Sequence, residues 1–103
     1  MKKIKLYRAV SPDEYAQLIA TGQFEIVGSS VEGKYFAEKL EHAAQWGEKL
    51  FGKGKYRIIE VILPVERANQ FYRIEMLDRI GPAQFAEIEQ LKEIDTIIRE
   101  AML

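Results

Sequence analysis

Arg8, Tyr35, Phe36 and the pair Glu87 and Glu89 are the side chains of this 103-residue chain whose types and spacing suit chemistry. Arg8 stands among β-forming residues, Ile4 to Val10. Its planar fork can grip a phosphate through two N–H groups at once. The same side chain also suits a solvent-facing strand position, or an ion pair with Glu14. Tyr35 and Phe36 follow Gly33-Lys34, and a glycine there permits close backbone approach. Neighbours on a strand face opposite sides, so one ring can line a cleft while the other fills the core. For either ring alone, plain packing is the simpler role. Glu87 and Glu89, with Lys92, Glu93 and Asp95, read as a solvated helix face.

The remaining reactive types form no constellation. His42 is the only histidine, lies between Glu41 and Ala43, and reads as a surface residue spaced i, i+4 from Glu38. A lone histidine cannot build a His-rich metal site, and without cysteine there is neither a thiolate ligand nor a thiol nucleophile. No metal is therefore expected. Gly52-Lys53-Gly54-Lys55 lacks phosphate-loop spacing and a following helix, so it reads as a turn. Ser29 and Ser30 are loop hydroxyls with no base nearby in sequence. Trp46 reads as core or cleft wall.

Composition sets the class. Hydrophobic residues at 48% and charged residues at 30% describe one folded domain, residues 1–103, with a modest core. The formal charge of −1 carries no basic excess that would call for nucleic acid or an anionic membrane. The opening Met1-Lys2-Lys3-Ile4-Lys5 is not followed by the apolar stretch of a signal peptide, and no apolar run reaches membrane-spanning length. The expected location is the cytoplasm.

The elements that must position these residues follow from pattern. A first strand is expected around residues 3–10. Ser11-Pro12-Asp13-Glu14 then starts a helix as a capping box with proline at its first position, and Gly22 stops it. Phe24 to Val27 reads as a short strand, Tyr35 to Ala37 as another, and Leu40 to Gly47 as a helix facing the core. Tyr56 to Leu63, ended by Pro64, is the strongest strand. Being apolar on both faces, it is placed centrally between the strands at 3–10 and 33–37. Val65 to Gln70 suits one helical turn, Phe71 to Met76 a strand or a loop, and Asp78 to Pro82 a loop. Phe85, Ile88, Leu91, Ile94, Ile98 and Met102 recur every three or four residues, which predicts a C-terminal helix over 83–102.

Glu32-Gly33-Lys34-Tyr35-Phe36-Ala37-Glu38, followed by Ala43-Ala44 and Trp46, resembles a stretch of the ADP-ribosyltransferase superfamily, which includes poly(ADP-ribose) polymerase and domains at the ends of Rhs-type polymorphic toxins. In that family a glycine leads into an aromatic strand and then a helix with small residues. Leu6-Tyr7-Arg8 resembles its first strand and Tyr56 to Pro64 its long central strand, so the likeness covers roughly residues 5–64. The resemblance implies an α+β fold: a small split antiparallel or mixed sheet with two to three helices, holding NAD as substrate in its cleft. Arg8 would contact the ribose or phosphate, and Tyr35 or Phe36 would stack on nicotinamide. Glu87-Ile88-Glu89 has the form of the family's acidic motif, so Glu87, or else Glu89, would supply the carboxylate at the reacting ribose. The helix expected over 83–102 splays that pair, whereas a strand would point both to one face.

The resulting expectation is an NAD-binding transferase, an NAD glycohydrolase or a toxin-type effector, with a protein acceptor or an immunity partner. The alternatives are a non-catalytic module binding protein or nucleotide on the same scaffold and, more remotely, a small ribonuclease-type toxin using Arg8, His42 and lysines.

Overall fold

The computed structural model describes residues 2–24, 33–92 and 97–102. Among them, six strands form one sheet in the order β4-β5-β2-β1-β3-β6, and every pairing is antiparallel. The strands are β1 (Lys3–Val10), β2 (Gly33–Ala37), β3 (Arg57–Pro64), β4 (Tyr72–Leu77), β5 (Gly81–Glu87) and β6 (Ile97–Ala101). Four helices accompany them, where two to three were expected: α1 (Pro12–Thr21), α2 (Leu40–Phe51) and the short α3 (Val65–Ala68) and α4 (Ile88–Lys92). No helix among the described residues is long and apolar enough to cross a membrane.

α1 starts and stops where its residues dictate. Ser11 Oγ accepts the Glu14 N–H at 3.1 Å, Pro12 opens the first turn, and Gly22 closes the helix at φ 70°. The capping box is only half made, because the Glu14 carboxylate turns to Arg8. The Phe24–Val27 strand falls largely outside the described residues.

β3 is interior, as its apolar faces require, but its neighbours are β1 and β6. The middle of the sheet is the β2–β1 seam, so the placement of β3 between residues 3–10 and 33–37 is corrected on one flank. Among the described residues the continuous helix expected over 83–102 is not found: residues 81–87 are strand, 88–92 one short helix, and 97–101 strand again. β5 pairs with all five residues of β2, and β6 with five residues of β3. The backbone N–H and C=O groups of those two strands need partners, and no local periodicity encodes that demand. Pro82 sits inside β5 because its missing N–H falls in the interrupted register between Ile74 and Leu77 of β4.

The sheet divides the core into two layers. Leu6, Val10, Phe36, Ile59, Val61 and Leu63 pack with Leu18 of α1 and Ile88 and Leu91 of α4. On the opposite face Ala37, Ile58 and Ala83 meet Ala43, Ala44 and Trp46 of α2. The small residues let α2 lie close to the strands. At Gly47 the Tyr56 ring occupies the space a side chain would need.

Candidate functional site

β1 and β2 meet at one backbone pair, Tyr7 opposite Ala37, whereas β1 and β3 pair along eight residues. The sheet stays continuous here, and the split is one of pairing only: a single backbone pair joins its two halves. Arg8 spans the split: its Nη1 donates to the Tyr35 carbonyl oxygen at 3.2 Å. Its Nε and Nη2 donate to the two Glu14 carboxylate oxygens at 2.9 and 3.2 Å. Three of its five N–H groups are thus engaged among the described residues, and the side chain leaves β1 on the face of Leu6 and Val10, towards Glu14 of α1.

Above the split, on the α2 side, lies a cleft of about 340 Å³. Arg8, Tyr7 and Tyr35 border it from the strands, Trp46 and Leu50 from α2, and Leu77 and Asp78 from the β4–β5 hairpin. Trp46 and Leu50 stand one helical turn apart, which puts both on one side of α2. The volume is at the lower end for small-molecule sites and suits one ring with its attached sugar.

The structure brings Arg8 and Tyr35 together at this cleft. Tyr35 is 41% exposed, and its ring packs on Phe85 with centroids 4.8 Å apart. Phe36 also borders the cleft but is only 1% exposed; its ring meets Phe24 edge-on in the core. Of the two aromatic residues, Tyr35 is therefore the one able to stack on a ligand. Neither Glu87 nor Glu89 borders the cleft. Glu87 ends β5 opposite Gly33, exposed, on the same face as Phe85 and Tyr35. That places it two residues from Phe85, about 7 Å along the strand. Glu89 lies on α4, 3.8 Å from Lys92.

A second group of charges lies at the seam. Lys34 is 9% exposed, and its ammonium is 4.0 Å from the Glu14 carboxylate that Arg8 also holds. Burial lowers its pKa; Glu14 opposes that effect and Arg8 adds to it. At the end of β2, Arg73 donates to both oxygens of Glu38 at 2.8 and 3.1 Å, and Gln84 Nε2 donates at 2.9 Å. The Arg73 contact holds the Glu38 pKa below its ordinary value, against a partial opposing effect of burial.

Two residues differ from their expected roles. His42 is not a free surface group: its ring packs on Gly81, and its Nδ1 is buried with no protein partner among the described residues. Asp78 was hidden in an expected loop. It is the first central residue of the β4–β5 turn, where Asp78 and Arg79 have φ of 55° and 60° and the Ile80 N–H donates to the Leu77 carbonyl at 3.0 Å. Mirror-image turns of this kind favour Asn-Gly or Asp-Gly, so Asp78 followed by Arg79 is a half-signal. From that turn Asp78 Oδ2 accepts the Trp46 Nε1–H at 3.1 Å, tying the hairpin to α2 across the cleft. No family model, no curated protein and no solved structure matches the chain.

Proposed function

We propose that this chain is an NAD-binding domain of the ADP-ribosyltransferase type, cleaving the nicotinamide–ribose bond as a transferase, a glycohydrolase or a toxin-type effector. The observation that carries the reading is the split at the β1–β2 seam, where Arg8 from one strand and Tyr35 from the other border a single cleft. Tyr35 offers an exposed ring to nicotinamide. Arg8, oriented by Glu14 and the Tyr35 carbonyl, would turn the two N–H groups that have no partner among the described residues to a ribose hydroxyl or a phosphate oxygen at the edge of the cleft.

The bond that breaks joins ribose C1′ to the pyridinium nitrogen. Its electron pair leaves with nicotinamide, and an oxocarbenium-like cation develops on the ribose. Water or an acceptor nucleophile then bonds to C1′ and loses its proton. Glu87 is the carboxylate this reading assigns to the cation, since it shares a sheet face with Tyr35 and Phe85. Its place at the end of β5 requires the ribose to extend from the cleft along that face.

The test is calorimetry of NAD with the purified protein together with measured nicotinamide release. Glu87→Gln is expected to leave binding nearly intact and lower release, because stabilising a developing cation matters mainly in the transition state. Equal release from both proteins would remove Glu87 from the mechanism. One observation favours a second reading, a non-catalytic module on the same scaffold: the carboxylate bordering the cleft is Asp78 rather than Glu87 or Glu89. NAD binding with no nicotinamide release would select it.

A further inference from the structure

Asp78 is held at the cleft by unusual means. Its backbone is left-handed, as is that of Arg79, and neither residue is glycine. Such positions cost free energy and persist where surrounding structure holds them. Here one carboxylate oxygen is held by the Trp46 indole N–H, and the residue borders the cavity that Tyr7, Tyr35 and Trp46 also line. The second oxygen, Oδ1, has no hydrogen-bond donor among the described residues. A carboxylate with an unused acceptor beside aromatic walls matches a planar ring that carries N–H donors or positive charge. It repels one that carries a negative substituent.

We infer that Asp78 is the specificity-determining residue of the cleft, accepting a hydrogen bond from an amide on a bound heteroaromatic ring and excluding the corresponding acid. The inference rests on the NAD reading above, under which the donor is the nicotinamide carboxamide and the positive charge is that of the pyridinium ring. Arg8 lies at the split and does not neutralise Asp78, because its carboxylate partner is Glu14.

The experiment titrates two ligands, NAD and nicotinic acid adenine dinucleotide, into the wild-type protein, Asp78→Asn and Asp78→Gly. Both replacements tolerate a left-handed backbone, and asparagine keeps an oxygen for Trp46. The wild type is expected to prefer NAD by about tenfold, since Asp78 is exposed to solvent and a like-charge contact there is unfavourable but partly screened. In Asp78→Asn the preference should shrink to within about threefold, mainly because the acid form gains affinity from the new N–H donors. Asp78→Gly should lose the preference while weakening NAD. NAD binding with an undiminished preference in Asp78→Asn and Asp78→Gly, or equal affinities in the wild type, overturns the role of Asp78 and leaves the NAD reading standing. Failure of the wild type to bind either dinucleotide defeats the NAD reading and the inference together.

Discussion

On the α1 side of the sheet, large side chains close completely: Leu6, Val10, Leu18, Phe36, Ile59, Val61 and Leu63 are each at most 1% exposed. On the α2 side the buried positions are mostly alanines, Ala37, Ala43, Ala44 and Ala83, with Ile58 and Trp46 the large buried residues, while Tyr7, Leu40, Tyr56 and Leu77 are only partly buried. The same strands supply both layers, because alternate residues point to opposite faces. One face spends its side-chain volume on filling space. The other uses small residues to bring α2 down onto the strands and leaves room beyond them. The cleft lies where the small residues give way to Trp46 and Leu50, so the candidate site and the more fully closed layer of the core lie on opposite sides of one sheet.

The largest expected effect tests that division. Leu63→Ala should destabilise the protein by about 2–5 kcal/mol in urea unfolding, through lost burial and the cavity left behind. Leu50→Ala on the cleft wall should stay within about 0.5 kcal/mol, because Leu50 is 66% exposed. Comparable losses at the two positions would mean that the cleft wall at Leu50 is core as well.

Gly47→Ala comes next. The added methyl meets the Tyr56 ring, and overpacking of this kind costs about 1–3 kcal/mol. An unchanged unfolding midpoint would show that α2 does not approach the strands so closely. On the ligand side, Arg8→Ala should weaken NAD binding at least about tenfold, roughly 1.4 kcal/mol, and Arg8→Lys should recover little of it. Binding that ignores both substitutions would uncouple the split from the ligand.

The smallest effects are those of pH. Lys34 has a folded pKa below its ordinary 10.5, so between the two values the unfolded chain binds more protons. Stability should therefore rise with pH across that alkaline window, and Lys34→Met should flatten the rise. Glu38 is the acid-side counterpart. Its depressed pKa contributes stability that is present above the ordinary value of 4.5 and lost as pH falls through the lowered one. Glu38→Gln should shift the acid unfolding curve by a small amount, because the Arg73 end of the ion pair is half exposed to solvent. A curve identical to wild type would leave Arg73 and Gln84 without an energetic role at that end of β2.

Much of the candidate site was legible residue by residue. Arg8 on a strand, Tyr35 after Gly33-Lys34, and Trp46 as wall or core all follow from local chemistry, and each lies at the cleft. Asp78 was not legible. The positive φ that makes it unusual belongs to a turn whose closure depends on β4 and β5 pairing, and its partner Trp46 lies 32 residues away. His42 was misread for a related reason: Gly81, which its ring covers, arrives beside α2 only when β5 joins the sheet.

By itself the sequence determined the elements whose causes are local. Ser11-Pro12 and Gly22 bound α1, Pro64 closes β3, and the apolar run from Ile58 to Leu63 is interior strand, because capping, proline geometry and two-sided burial act within a few residues. Only the tertiary structure decided the segment from Gly81 to Ala101. Its apolar residues have helical spacing, yet β2 and β3 each present a row of backbone groups that only another strand can satisfy. Local periodicity lost to those long-range hydrogen bonds, and the position of Glu87 relative to the cleft was decided with them.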